Sequence, residues 1–261
     1  MRFLLLALVI TLSSTDLNAS TIKTLTFAYS DVESFPFQMG NGTSVATPPG
    51  LSIDVLEQAA RKLNIRINYV RLPGKRVLSQ IKANRVDGGF IFSYNPERAQ
   101  FAKYPMKEQK ADSTLRIATL DYYFYKLKDQ QLKWDGVKLE SLGNRLVGAH
   151  AGFSIINKLK ENEINTLGIE STAKLFEMLY KRRLAAVAIQ SNIASSYIDA
   201  KGLSNIERMN PPISTKDYYL IFSPKLAKED PALVSELWRV IGEIRDEVIE
   251  GNMNKYLAEE K

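Results

Sequence analysis

The sequence predicts an α/β fold, and two observations carry that reading. Short apolar, β-branched or aromatic runs at 25–29, 65–72, 86–92, 166–169 and 184–189 read as strands. Between them lie stretches with apolar residues at helical spacing, such as Ile53, Leu56, Ala59, Ala60 and Leu63. A chain of 261 residues is long enough for one large or two small domains with a sizeable core.

Composition narrows the function. The chain has 35 Lys and Arg against 29 Asp and Glu, a formal net charge of +6. The two signs are interspersed, and the one basic run, Lys181-Arg182-Arg183, falls at a predicted helix end, where cations suit the dipole. Nucleic acid is therefore not an expected partner, whereas a mild attraction for anionic ligands is. Without cysteine, the chain has no disulfide, no thiolate metal site and no cysteine-linked lipid anchor. A single histidine, His150, gives no metal-ligand spacing, and no glycine-rich phosphate loop appears, so no cofactor is expected. Residues 1–19 begin with Arg2, continue with the apolar run 3–12 and end in Leu17-Asn18-Ala19. They read as a signal peptide cleaved after Ala19, the apolar run being too short to span a bilayer. The alternative is an N-terminal anchor. Export would place the product in the periplasm.

The elements follow in order. After strand 25–29 comes a long loop to Pro49 that carries Asp31, Glu33, Phe35-Pro36-Phe37, Gly40 and Gly42. Gly50 opens the first helix, strand 65–72 follows, Pro73-Gly74 breaks it, and 75–84 is helical. Strand 86–92 ends in the polar turn Ser93-Tyr94-Asn95. Asn95-Pro96 is a helix start, with Asn as N-cap and Pro as first helical residue. A strand, a short turn and a helix N-terminus point backbone N–H groups at an anion. Ser93 adds a hydroxyl and Arg98 a planar cationic fork. The alternative is a surface loop in which Arg98 pairs with Glu97 or another neighbour. Further on, 113–121 is strand-like, 127–135 is a polar insert with Trp134, and 142–149 opens a second α/β unit. Ser171-Thr172 caps a helix to Arg182. A strand is expected around Pro211-Pro212 and 218–223, and two helices at 231–251 and 253–260.

Residues 85–105, RVDGGFIFSYNPERAQFAKYP, resemble a segment of bacterial extracellular solute-binding proteins, family 3, the receptors of polar amino-acid ABC transporters. The segment reads G-x-x-D, an apolar run, S/T-x-T-x-E-R-A and F-S-x-P. In that family its Arg clamps the ligand carboxylate and a Ser or Thr just before it assists, roles that fall on Arg98 and Ser93. Pro36-Phe37 matches a Pro-Phe pair with a pocket aromatic, and Phe35 and Asp31 lie beside it; the alternative, for Phe37 above all, is a loop aromatic packed on the core. Arg76 matches the Arg of a P-W-x-R motif, although Gly74 replaces the Trp. The stretch Arg145 to Ser154 resembles K-V-G-V-x-x-G-T-T: Gly152 and Ser154 match, and Phe153 replaces one Thr. His150 falls on a pocket-facing position as either a structural residue or a ligand-contacting donor. Gln190 stands where amino-acid binders carry an Asp for the ligand ammonium, and Ala185 replaces another usual Asp.

The resemblance implies a two-lobed type II periplasmic binding fold. Each lobe is a mixed sheet flanked by helices, joined by two crossing strands near 113–118 and 212–222. Lobe 1 would comprise 20–112 and 220–261, lobe 2 113–219. The implied function is capture of a small polar carboxylate-containing solute, in an interlobe cleft, by a monomer that hands it to a membrane-embedded ABC permease. The implied ligand contacts are Arg98, Ser93, Phe35, Phe37, Arg76, His150, Ser154, Gln190 and Asp31, with no catalytic residue and no metal. The alternatives are a dehydratase-type enzyme, for which His150, Asp31 or Glu33 would be the acid or base, and a stand-alone sensory protein.

Overall fold

A computed structural model describes residues 22–257; the expected signal segment and its cleavage point lie outside them. The chain runs β1 (Lys23–Ser30), α1 (Leu51–Lys62), β2 (Ile65–Leu72), α2 (Gly74–Lys82), β3 (Gly88–Ser93) and α3 (Pro96–Ala99). A small hairpin follows, β4 (Met106–Lys107) with β5 (Lys110–Ala111). Next come β6 (Ala118–Leu127) and a second hairpin, β7 (Lys133–Trp134) with β8 (Leu139–Glu140). The second α/β unit is β9 (Val147–His150), α4 (Ile155–Glu161), β10 (Thr166–Ile169), α5 (Thr172–Tyr180), β11 (Ala186–Gln190) and α6 (Ser191–Lys201). β12 (Ile206–Phe222), α7 (Pro224–Glu229) and α8 (Pro231–Leu257) complete it.

Eight strands form one continuous sheet in the order β10-β9-β11-β6-β12-β3-β1-β2. The outer strands at both ends pair in parallel, as expected where helices connect successive strands. The middle is antiparallel: β6 pairs with β11 and β12, and β12 pairs with β3. β12 alone reaches both halves, bonding β6 through 206–218 and β3 through 218–222. Two lobes thus share a sheet whose centre is two long strands.

Each strand forms because its inward side chains are apolar. Leu25, Phe27 and Tyr29 of β1 are buried against Ile53, Leu56 and Ala60 of α1. In the second lobe, Ile189 of β11 joins Leu175, Phe176 and Leu179 of α5 and Ile193 of α6. α8 closes the first lobe through Leu237, Ile241 and Ile244. Asp54 anchors its far end, accepting from Tyr256 Oη at 2.7 Å and Lys255 Nζ at 3.2 Å. Arg245 of the same helix donates to the carbonyls of Thr114 and Arg116 just before β6, tying α8 to the start of a central strand.

Several expectations change. Residues 113–115 form a 3-10 turn, and the strand expected from 113 begins at Ala118 and continues to Leu127. Asp112 caps that turn through Thr114, a local alternative to strand pairing. β12 passes straight through Pro211-Pro212, and its register against β6 shifts between Met209 and Ser214, where proline is tolerated. The polar insert is not loose: Trp134 packs edge-on against Phe124 and donates Nε1–H to the Pro211 carbonyl. The two C-terminal helices are one 27-residue helix, because Gly251 and Asn252 do not break a helix held from both ends.

Candidate functional site

A small, largely enclosed cavity lies where the two lobes meet at β6 and β12. The first lobe contributes Ser30 from the end of β1, Ser34 and Gln38 from the following loop, Gly74 from α2, Phe90 to Ser93 from β3, and Arg98. The second lobe contributes Gly152, Phe153, Ser154 and Gln190, while Tyr122 and Tyr218 come from the central strands. Aromatic walls with a few polar groups suit a small organic solute.

The local sequence explains how Arg98 is held. Asn95 caps α3, its Oδ1 accepting from the N–H groups of Glu97 and Arg98. The first turn therefore starts where β3 ends, and the Arg98 side chain folds back under it. Arg98 is 8% exposed, whereas Glu97 is exposed, and the two form no ion pair. This rules out the surface-loop alternative. Arg98 Nη1 donates to the Ser93 carbonyl at 3.1 Å, and Nη2 reaches across the cleft to the Gly152 carbonyl at 2.8 Å. Its guanidinium lies 5.6 Å from the Phe92 ring centroid. Gly152 adopts φ +84°, and a Cβ there would meet the Lys75 backbone nitrogen at 3.1 Å, so glycine permits this close approach of the lobes. Ile91, a β-branched residue at φ 60°, sits at the cavity edge where the pairing of β12 with β3 shifts register. That strained backbone is of the kind that concentrates at binding sites.

Ser93 and Ser154 meet across the cleft, their hydroxyl oxygens 2.7 Å apart. Lys216, on β12, donates to Ser154 Oγ at 3.1 Å, with its ammonium 5.9 Å from the Tyr122 ring centroid. Burial, and next the positive charge of Arg98, pull its pKa down to about 8. Gln190 is fully engaged: Nε2 donates to Tyr218 Oη at 2.8 Å and Tyr122 Oη at 3.3 Å, and Oε1 accepts from Ser34 Oγ. Both phenols have pKa values raised by burial, so they stay neutral donors and acceptors. Asn192 braces the loop by donating to Ser34 Oγ and the Phe35 carbonyl.

Of the residues expected from sequence, Arg98, Ser93, Ser154 and Gln190 come together around this cavity. The others do not line it. Phe37 packs on the main core, because the 34–38 turn directs Ser34 and Gln38 inward instead. Phe35 lines a separate crevice with Ile193 and Tyr197. Arg76 is exposed on α2. Asp31 and His150 border a neighbouring crevice with Lys75 and Glu170. There His150 is 2% exposed, its Nε2 3.1 Å from Thr172 Oγ1, and burial pushes its pKa down to about 4. Glu33 accepts from the Gly40 N–H. No carboxylate lines this interlobe cavity among the described residues, whereas Glu97 lines the adjoining outer cleft with Arg98. Sequence reasoning missed Lys216, Tyr122, Tyr218, Ser34 and Gln38. Alternation along β12 offered a signal for two of them, since Lys216 and Tyr218 share a face of a central strand.

Comparison with known proteins agrees with this architecture. Residues 28–259 match the family described as bacterial extracellular solute-binding proteins, family 3. The fold resembles the GluR0 ligand-binding core from Nostoc punctiforme in complex with L-glutamate, at TM-score 0.69 and 17% identity, covering 89% of this chain and 98% of that one. It also resembles a histidine kinase sensor domain with similarity to periplasmic binding proteins, at TM-score 0.72 and 15% identity, covering 90% and 96%. A third likeness, at TM-score 0.66 and 14% identity, is to the substrate-binding protein of an amino acid ABC transporter, covering 87% and 98%. No curated protein matches the chain. The fold is the two-lobed type II binding-protein fold, and the chain belongs to the bacterial extracellular solute-binding proteins, family 3.

Proposed function

We propose that this protein captures a small carboxylate-bearing solute in the interlobe cleft and delivers it to a membrane-embedded ABC permease. The observation that carries this reading is Arg98, a buried guanidinium on the cleft wall that pairs with carbonyls and no carboxylate among the described residues. A buried cation without an anion is costly, and a ligand carboxylate offers the missing partner in bidentate geometry. Ser93 and Ser154 hydroxyls flank it as neutral donors. Gln190 offers an amide dipole in place of a charge, and its hydrogen bonds are taken by Ser34, Tyr122 and Tyr218. The ligand is therefore a carboxylate without an α-ammonium group, or a modified amino acid, rather than an ordinary α-amino acid.

Lobe 1 is assigned to 20–112 and 220–261 and lobe 2 to 113–219, with β6 and β12 as the hinge. Closure between them traps the ligand. The protein works without turnover: His150, Asp31 and Glu33, the candidate acids and bases, lie outside the cavity lining. It acts as a periplasmic monomer. A sensory role for the same capture is favoured by the likeness to a histidine kinase sensor domain. Adjacent permease genes would support import, and adjacent sensor genes the second reading. Mass spectrometry of what co-purifies with the exported protein tests the ligand class. A carboxylate is expected; a neutral sugar or a polyamine would refute it.

A further inference from the structure

Two cations bond the same turn of the second lobe. Arg98 donates to the carbonyl of Gly152, and Lys216 donates to the hydroxyl of Ser154. They come from different elements, α3 and β12; Lys216 bonds the Ser154 hydroxyl, which meets that of Ser93, and Arg98 bonds the Ser93 and Gly152 carbonyls, so both positive charges lie against the same turn. Neither forms an ion pair with a carboxylate among the described residues. The groups facing Lys216 are Arg98 and Lys158, which repel it, and Glu161, which attracts it more weakly than Arg98 repels it. Arg98 lines the cavity, Lys216 reaches it through Ser154 Oγ, and no acid lines it among the described residues, so two like charges meet there without an anion in the lining. Gln38 adds a donor: its Nε2 is buried, has no hydrogen-bond partner, and belongs to a residue lining the same cavity. Gln190 Oε1, an acceptor on that lining, is already taken by Ser34.

From this convergence of Arg98 and Lys216 on the 152–154 turn, we infer that the ligand is a small dianion, a dicarboxylate or a phosphonate, and that Lys216 is a specificity-determining residue. The inference rests on the carboxylate-capture reading and extends it. A single negative charge satisfies Arg98 and leaves Lys216 charged and half-buried beside it; a second charge removes that repulsion. The lowered pKa of Lys216 accords with a lysine awaiting an anion, so dianion binding near pH 8 should take up a proton.

Calorimetry at pH 7 with pairs matched in shape and differing in charge tests this: succinate against its monoamide, glutarate against its monoamide, with methylphosphonate and inorganic phosphate as the phosphorus arm. The dianion of a pair should bind at least about tenfold more tightly than its monoamide. Lys216→Gln should abolish the difference, and Lys216→Arg should keep most of it. Tighter binding by the phosphorus arm than by the dicarboxylates would assign the phosphonate class. Equal affinity within each pair, or an unchanged preference in a folded Lys216→Gln protein, would overturn the inference while leaving carboxylate capture standing. Failure of every carboxylate and phosphorus ligand to bind would overturn both.

Discussion

The Ser93 hydroxyl lies 2.7 Å from the Ser154 hydroxyl, joining the end of β3 to the start of α4 across the cleft. Ser154 also accepts from Lys216, so this one oxygen links both lobes and a central strand. Ser154→Ala removes the link without adding bulk. A neutral hydrogen bond contributes roughly 0.5–1.5 kcal/mol, so ligand affinity should fall about two- to tenfold, with the melting temperature of the free protein little changed. Isothermal titration of the variant checks this; an unchanged affinity would mean that the hydroxyl pair is a packing contact only.

His150 makes stability depend on pH in a defined window. Its folded-state pKa is about 4, against 6.5 ordinarily, so the unfolded chain takes up the proton first as pH falls. Its contribution is therefore complete above about pH 6.5 and is lost between there and about pH 4, by up to about 3 kcal/mol. Asp31, in the same crevice, has a pKa raised by burial and acts in the opposite direction. The informative quantity is thus the difference between wild type and His150→Gln in urea midpoints measured from pH 7 to pH 4. The variant should show the flatter curve, and parallel curves would contradict the assignment.

Arg71 holds the loop that carries Ser34 and Gln38. It is 2% exposed and donates to the carbonyls of Met39, Ser44 and Gly40 at 3.0, 3.0 and 2.5 Å. Arg71→Met leaves those carbonyls without partners and should cost roughly 2–4 kcal/mol in denaturant unfolding, and weaken ligand binding as the loop loosens. Arg71→Lys should recover only part, since an ammonium donates from a single nitrogen and these acceptors are reached from two nitrogens of the guanidinium. An Arg71→Met protein as stable as wild type would place the loop's support elsewhere.

The parts of this fold legible in the sequence are those governed by local chemistry. β2 and β10 fall where the alternation and the flanking breakers place them, and the Asn95-Pro96 cap forms as its residue types require. Arg98, Ser93, Ser154 and Gln190 could be found because they adjoin such punctuation, at strand ends and helix starts. What escaped depends on long-range packing. Sequence leaves Phe37 open between pocket and core; it turns to the core while Gln38 faces the cavity, and the bridge between Ser34 and Gln38 decides it. Lys216 and Tyr218 lie on β12, whose two prolines disguise a strand that a register shift keeps continuous. The acid expected beside the ligand, Asp31, lies in the adjoining crevice, because Arg71 and the 34–38 turn set the path of the loop.

Gln190 sits where a charge would change the ligand class. Gln190→Glu preserves shape, and the hydroxyls of Ser34, Tyr122 and Tyr218 can all donate to the new carboxylate. An anion on the cavity wall attracts an ammonium group and repels a second carboxylate. Affinity for α-amino acids should rise, and affinity for the native anion should fall, each by about tenfold or more. A thermal-shift panel with both ligand types, wild type beside variant, reads this directly. A variant that keeps the wild-type preference would show that Gln190 does not face the ligand.

The central claim is that Arg98 holds a ligand carboxylate inside the closed cleft. Truncating one member of a buried charged pair costs roughly 2–5 kcal/mol, or about 30-fold to several thousand-fold in affinity. Arg98→Lys should lose much of this as well, because a point charge lacks the fork. The measurement is calorimetric titration of wild type and Arg98→Ala with the carboxylate that co-purifies or most raises the melting temperature, circular dichroism verifying that the variant is folded. The account predicts binding weakened at least about 30-fold. A folded Arg98→Ala protein that binds the same ligand as tightly as wild type would contradict it.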